Sequence, residues 1–227
     1  MSEWREFADR DALDQQLAEH IASRLRSDIT KRGAASLAVS GGGTPRRMFQ
    51  LLSACPLDWS RVWVTLVDER WVNPDNADSN ERLVREELLV NEAATARFVS
   101  LKSAHDNAEE GLQEIAGRLS DLPRPLSVLV LGMGGDGHTA SWFPQAANLS
   151  ALLDPGGSAT VAASDPVTAP HQRMTLTLPT VVDSREIIIH ITGQDKRTVL
   201  EDATRARYPI AAILEQTSTP ATTWWAP

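Results

Sequence analysis

Strand-like and helix-like segments alternate along most of this 227-residue chain, and glycine and charge collect in the loops that follow the strands. Leu13, Leu17, Ile21, Leu25 and Ile29 recur every four residues. That spacing marks a long amphipathic helix stopping near Gly33. Residues 36–39 form a short apolar run, followed by glycines and a helix opening at Pro45, a favoured first-turn residue. Residues 62–67 read as the next strand, and after a polar loop Ser79 or Asn80 caps a helix running to Leu89. A strand at 98–101 precedes a helix carrying Leu112, Ile115 and Leu119. The run at 127–131 (Ser-Val-Leu-Val-Leu) reads as a buried strand, 161–163 and 174–178 as weaker ones, and 186–191 as a second strongly apolar one. Residues 195–205 form the helix after it. Such alternation predicts an α/β fold: an open, mainly parallel, doubly wound sheet flanked by helices. There is no internal repeat or low-complexity tract, and Gly156-Gly157-Ser158 is too short a linker to separate domains. A single domain over 1–227 is therefore expected.

The chemically loaded loops begin at Ser40, Asp68, Gly132 and Gly193, each just after a predicted strand. In open α/β sheets ligands bind outside the carboxyl ends of the strands. The four loops therefore point to one crevice.

Ser40-Gly41-Gly42-Gly43-Thr44-Pro45 is a strand, glycine loop and helix start. Its glycines present unobstructed backbone N–H groups beside a helix N-terminus, and Thr44 adds a hydroxyl, which together suit a phosphate. The lysine of a nucleotide-binding P-loop is missing. In Asp68-Glu69-Arg70 the strand is apolar up to Val67, so Asp68 and Arg70 emerge at the crevice. Gly132-Met133-Gly134-Gly135-Asp136-Gly137-His138 contains a formal G-x-G-x-x-G. Pro144 interrupts the helix a dinucleotide site needs, and Asp154 does not look like the end of a second strand. The better reading is that the glycines present Asp136 and His138 at the crevice mouth, where an imidazole with an ordinary pKa near 6.5 suits proton transfer. Asp136 and His138 alone are too few ligands for zinc, so no metal or cofactor is expected. Arg173, and Lys196 in the first turn of its helix, complete the basic groups. A cation there opposes the helix dipole unless an anion lies between them.

The formal charge of −8 excludes broad nucleic-acid binding and leaves any anionic ligand to local cations. The charged N-terminus lacks an apolar signal core, and no stretch is long enough to span a membrane. With one cysteine, Cys55, an internal disulfide is excluded and a reducing, cytoplasmic location is expected. Cys55 ends an apolar helix and reads as a buried, inert thiol. Trp224-Trp225 reads as a last edge strand or a partner surface, with core packing favoured. A monomer or weak homodimer is expected.

Together these motifs resemble the 6-phosphogluconolactonase family, within the larger group that includes glucosamine-6-phosphate isomerases. The resemblance spans nearly the whole chain in order: 40–45, 68–72 with Ser79-Asn80, 132–141 with Phe143-Pro144, Arg173-x-Thr175-Leu176-Thr177, and Gly193-x-x-Lys196. It implies a modified Rossmann-like sheet of the sugar-phosphate isomerase type and a hydrolase opening a phosphorylated sugar lactone in the pentose phosphate pathway. By the same resemblance, Ser40, Gly41, Gly42, Gly43, Thr44, Arg173 and Lys196 hold the substrate phosphate. His138 acts as general base on water and general acid on the ring oxygen, with Asp68, Arg70 and Asp136 around the carbonyl. Gly43 stands where many relatives have serine, and Trp142 replaces a common leucine. The isomerases carry an acid just before the proline of the central motif, where this chain has Phe143. An amino-sugar-phosphate isomerase or deaminase and a non-catalytic sugar-phosphate sensor are the rival readings. Sensors of this kind usually carry a DNA-binding segment, for which the acidic N-terminal helix leaves no room.

Overall fold

The computed structural model describes residues 3–227. Among them are ten strands: β1 (Glu3–Glu6), β2 (Ala35–Val39), β3 (Val62–Leu66), β4 (Asp68–Arg70), β5 (Arg97–Val99), β6 (Val128–Leu131), β7 (Val161–Ser164), β8 (Arg173–Leu176), β9 (Ile187–Thr192) and β10 (Ala221–Ala226). Seven form one sheet in the order β1-β10-β9-β6-β2-β3-β5, every neighbouring pair parallel. From β2 the chain steps outward through β3 to β5, and from β6 it steps the other way through β9 to β10. The sheet therefore reverses direction between β2 and β6, where open α/β sheets form their binding crevice.

The flanking helices bury the stripes that the sequence spacing predicts. Helix α1 (Arg10–Arg32) is capped by Asp9, whose side chain accepts from Ala12 N at 2.8 Å, and ends at Gly33 with φ 82°. Lys31 and Arg32 in its last turn complement the dipole. Its Leu13, Leu17, Ile21 and Leu25 are fully buried, each contributing about 1.5–3 kcal/mol of apolar burial. Helix α2 (Arg46–Ser53) starts just after Pro45, and no side chain caps its N-terminus. Helix α3 (Asn80–Glu87) is capped by Ser79, and α4 (Ala108–Leu119) by Asn107.

Three features depart from the sequence reading. Residues 68–70 are not the start of a loop. They form the edge of a second, three-stranded antiparallel sheet, β4-β8-β7, which the sequence reading did not separate from the main one. Val67 joins the two sheets: its N–H donates to Val39 O at 2.9 Å in the large one, and its carbonyl accepts from Leu176 N at 2.9 Å in the small one. Trp224 and Trp225 belong to an interior strand, because β1 pairs with β10 and takes the edge. Both indoles are buried, so core packing holds and the edge placement does not. Cys55 is half-buried rather than fully buried, its thiol donating to Leu51 O, and burial pushes its pKa up. No helix among the described residues is long and apolar enough to cross a membrane.

Candidate active site

At the reversal point the ends of β2 and β6 are joined directly. Ser40 N donates to Val130 O at 3.0 Å, and Ser40 Oγ accepts from Gly132 N at 2.9 Å. Above this joint lies a cavity of about 450 Å³. Of the residues singled out from sequence, Ser40, Gly41, Gly42, Gly43, Thr44, Asp68, Arg70, His138, Arg173 and Lys196 all line it. Asp136 does not, and instead stands behind His138.

The central loop is built around that pair. Asp136 Oδ1 lies 2.6 Å from His138 Nδ1 and 3.2 Å from the His138 backbone N. A direct contact, which the two-residue spacing left open, is therefore made. Burial works against ionisation of Asp136, but the His138 charge and the hydrogen bonds from its ring and backbone outweigh it, holding the carboxyl below its usual value. An ionised carboxylate only accepts, so Nδ1 donates to Asp136 and Nε2 is the ring nitrogen that faces away from it. The imidazole stacks on Phe143 with ring centroids 4.3 Å apart. The loop closes on itself through Gly134 N to His138 O at 2.8 Å. Gly134 permits that approach, because a Cβ there would lie 2.1 Å from His138 Nδ1.

The glycine loop after β2 is mostly open to solvent, with Gly42 at φ 91°. Uncapped by any side chain, the N-terminus of α2 leaves first-turn N–H groups free beside it, as an anion site requires. Gly41 is set by packing: a Cβ would meet Asn80 Oδ1 at 1.9 Å.

Across the cavity, β4 and β8 pair so that Arg70 lies opposite Arg173 and Asp68 opposite Thr175. Arg173 is 5% exposed, yet its one side-chain hydrogen bond among the described residues goes to the Pro170 carbonyl at 3.1 Å. Arg70 donates to the Asp78 carbonyl at 2.5 Å. The Nε of each arginine is buried without a partner. Burial lowers the pKa of Arg173, Asp68 opposes the fall and Arg70 adds to it. Two neighbouring guanidiniums without a bridging carboxylate are costly unless an anion joins them. Asp68 is held by Ser141 Oγ at 2.6 Å, which ties β4 to the central loop. Lys196 Nζ donates to Met133 O at 2.8 Å; burial lowers its pKa and Asp136 opposes that. The cation in the first turn of its helix thus faces the central loop.

Sequence reasoning passed over Glu69. It is 1% exposed and accepts four hydrogen bonds, from Arg70 N, Asn80 N, Glu81 N and Ser79 Oγ, at 2.7–3.0 Å. Burial pushes its pKa up to about 7 against the pull of these donors. Glu69 thereby fixes the start of α3, and Asn80 there donates to the Asp68 carbonyl at 2.9 Å. Only its place directly between Asp68 and Arg70 signalled this in the sequence. Glu69→Ala is expected to destabilise the fold by about 2–4 kcal/mol by stranding those donors, measured from denaturant midpoints. Asp78, Asn80 and His171 at the cavity wall, and Ser141 behind Asp68, were given no site role, because each acts through a partner distant in sequence.

The family model for glucosamine-6-phosphate isomerases and 6-phosphogluconolactonases matches residues 8–225. The chain belongs to this family. A 6-phosphogluconolactonase of Mesorhizobium japonicum is 45% identical over 99% of this chain and 95% of its own length. One from Rhizobium meliloti is 44% identical over 97% of each chain. A crystal structure of a 6-phosphogluconolactonase from Shewanella baltica superposes with a TM-score of 0.97 at 46% identity, covering 100% of this chain and 98% of that one. A monomeric glucosamine-6-phosphate deaminase shares the fold, with a TM-score of 0.78 at 15% identity. Two branches with different chemistry are thus built on one family architecture.

Proposed function

We propose that the protein hydrolyses 6-phospho-D-glucono-1,5-lactone to 6-phosphogluconate. The observation that carries this reading is an oriented imidazole, His138 backed by Asp136, in the same cavity as two arginines whose buried Nε atoms have no partner among the described residues. A general base and an anion anchor are what a phosphorylated lactone needs, and the near-half identity to lactonases supports the same substrate. His138 Nε2 takes a proton from water as the water oxygen attacks C1. The resulting imidazolium then returns that proton to the ring oxygen as the C1–O bond breaks, leaving a carboxyl group at C1 and a hydroxyl on the former ring oxygen. Arg70 or N–H groups of the glycine loop stabilise the oxyanion between these steps. Asp136 holds the tautomer and stabilises the imidazolium. The phosphate, remote from the bond broken, is held by Arg173, Lys196, Thr44 and the glycine loop. Its binding energy positions the carbonyl against the base.

Phe143 separates this reading from the isomerase branch. It stacks on the His138 ring where the isomerases carry an acid, so the second proton carrier of an aldose–ketose shift is missing there. The deciding assay generates the lactone in situ from glucose 6-phosphate and follows its disappearance against an enzyme-free control, because the lactone also hydrolyses unaided. Acceleration above that control is the expected result. Release of ammonia from glucosamine 6-phosphate, with no lactone acceleration, would assign the chain to the other branch.

A further inference from the structure

Two loops meet across the mouth of the cavity, residues 71–79 after β4 and 165–172 before β8. They touch side chain to side chain at one point: His171 Nε2 lies 3.1 Å from Asp78 Oδ2. Both residues line the cavity. His171 adopts φ 69°, a region that residues bearing a Cβ rarely occupy, so something must hold it there. The backbone on either side of this contact grips the arginine pair. The carbonyl of Asp78 itself accepts from Arg70, and that of Pro170, the residue before His171, accepts from Arg173.

We propose that the His171–Asp78 contact is a clasp across the cavity mouth that positions the Arg70–Arg173 pair for the anionic group of the substrate. It rests on the reading of those arginines as the anion anchor. Arg70 and Arg173 sit opposite one another on adjacent strands, and their like charges repel. Each donates one side-chain hydrogen bond to a loop carbonyl, and the clasp joins the two loops beyond the Trp71 N–Gln172 O backbone bond that also links them. His171 and Asp78 are positioning residues, acting through the arginines.

The clasp and simple electrostatics predict opposite signs for one substitution. Asp78 carries a carboxylate at the lip of an anion site, so deleting that charge alone would tighten anion binding. Loss of the clasp weakens it. In Asp78→Ala and His171→Ala, the affinity for inorganic phosphate measured by calorimetry is expected to fall about three- to tenfold, with KM for the lactone rising in parallel and kcat within about twofold of wild type. His171→Gln keeps an N–H donor and is expected to recover most of the affinity. An unchanged thermal midpoint in each variant separates positioning from a loss of fold. Tighter or unchanged phosphate binding in Asp78→Ala, with Arg173→Met still weakening it, overturns the clasp alone. Absence of phosphate binding by the wild type overturns the anion reading of the arginines and the clasp with it. Because phosphate affinity is read without turnover, the result stands whichever phosphorylated sugar the enzyme opens.

Discussion

His138→Ala is expected to lower kcat for lactone hydrolysis by about 10²- to 10⁴-fold while leaving KM within a few-fold of wild type. The imidazole sits at the crevice with Nδ1 committed to Asp136, so Nε2 is the nitrogen available for the water and the ring oxygen. No other histidine at the cavity wall is placed to substitute. His190 is buried against Asp14, their side chains 3.4 Å apart, and His171 is engaged with Asp78. Asp136→Asn tests the orienting step separately. An amide can accept from Nδ1–H as the carboxylate does, but it cannot stabilise the imidazolium, so its loss of kcat should be smaller than that of His138→Ala. Steady-state rates corrected for spontaneous lactone opening measure both. A kcat near wild type in a folded His138→Ala enzyme would remove the histidine from the chemistry.

Arg173→Met has the second large effect, and there function and stability move in opposite directions. A buried charge-assisted contact to an anion contributes about 1.5–3 kcal/mol, so kcat/KM should fall about 10- to 100-fold, mostly through KM. The same guanidinium is 5% exposed, has a buried Nε without a partner and stands opposite Arg70. Replacing it with an apolar side chain of similar length removes a desolvated charge and a repulsion, so the midpoint of thermal unfolding should hold or rise. A fall in both activity and stability would mean that Arg173 supports the small sheet and does not serve the ligand.

Much of the fold was legible because the main sheet is parallel and buried on both faces. Such strands appear in sequence as unbroken apolar runs, and β2, β3, β6 and β9 were located to within about two residues of their ends. The helix stripe of α1 was equally plain. β4 was missed because Asp68-Glu69-Arg70 has none of the alternation that marks a half-buried strand. Its polar side chains are satisfied by Ser141, by the start of α3 and by loop carbonyls, partners that only the folded chain supplies. β1 (Glu-Trp-Arg-Glu) failed for a related reason, being short, charged and at an edge. Cavity-lining residues were legible where a loop follows an apolar strand, as Ser40 follows β2 and His138 follows β6, because such loops must emerge at the carboxyl edge of the sheet. What spacing left open was the hydrogen bonding between loops: the Asp136–His138 contact, the role of Glu69 and the joining of residues 78 and 171.

The position of β10 has a consequence for how the molecule is made. It is the last strand in sequence, yet it lies between β9 and β1, parallel to both. Until residues 221–226 leave the ribosome, β9 presents a bare, isoleucine-rich margin, and β1, made first of all, has nowhere to dock. At roughly 5–20 residues per second, the stretch from β9 to the end of β10 takes a few seconds to translate. During that interval the nascent chain offers an unpaired, aggregation-prone edge. The finished protein hides the same edge completely.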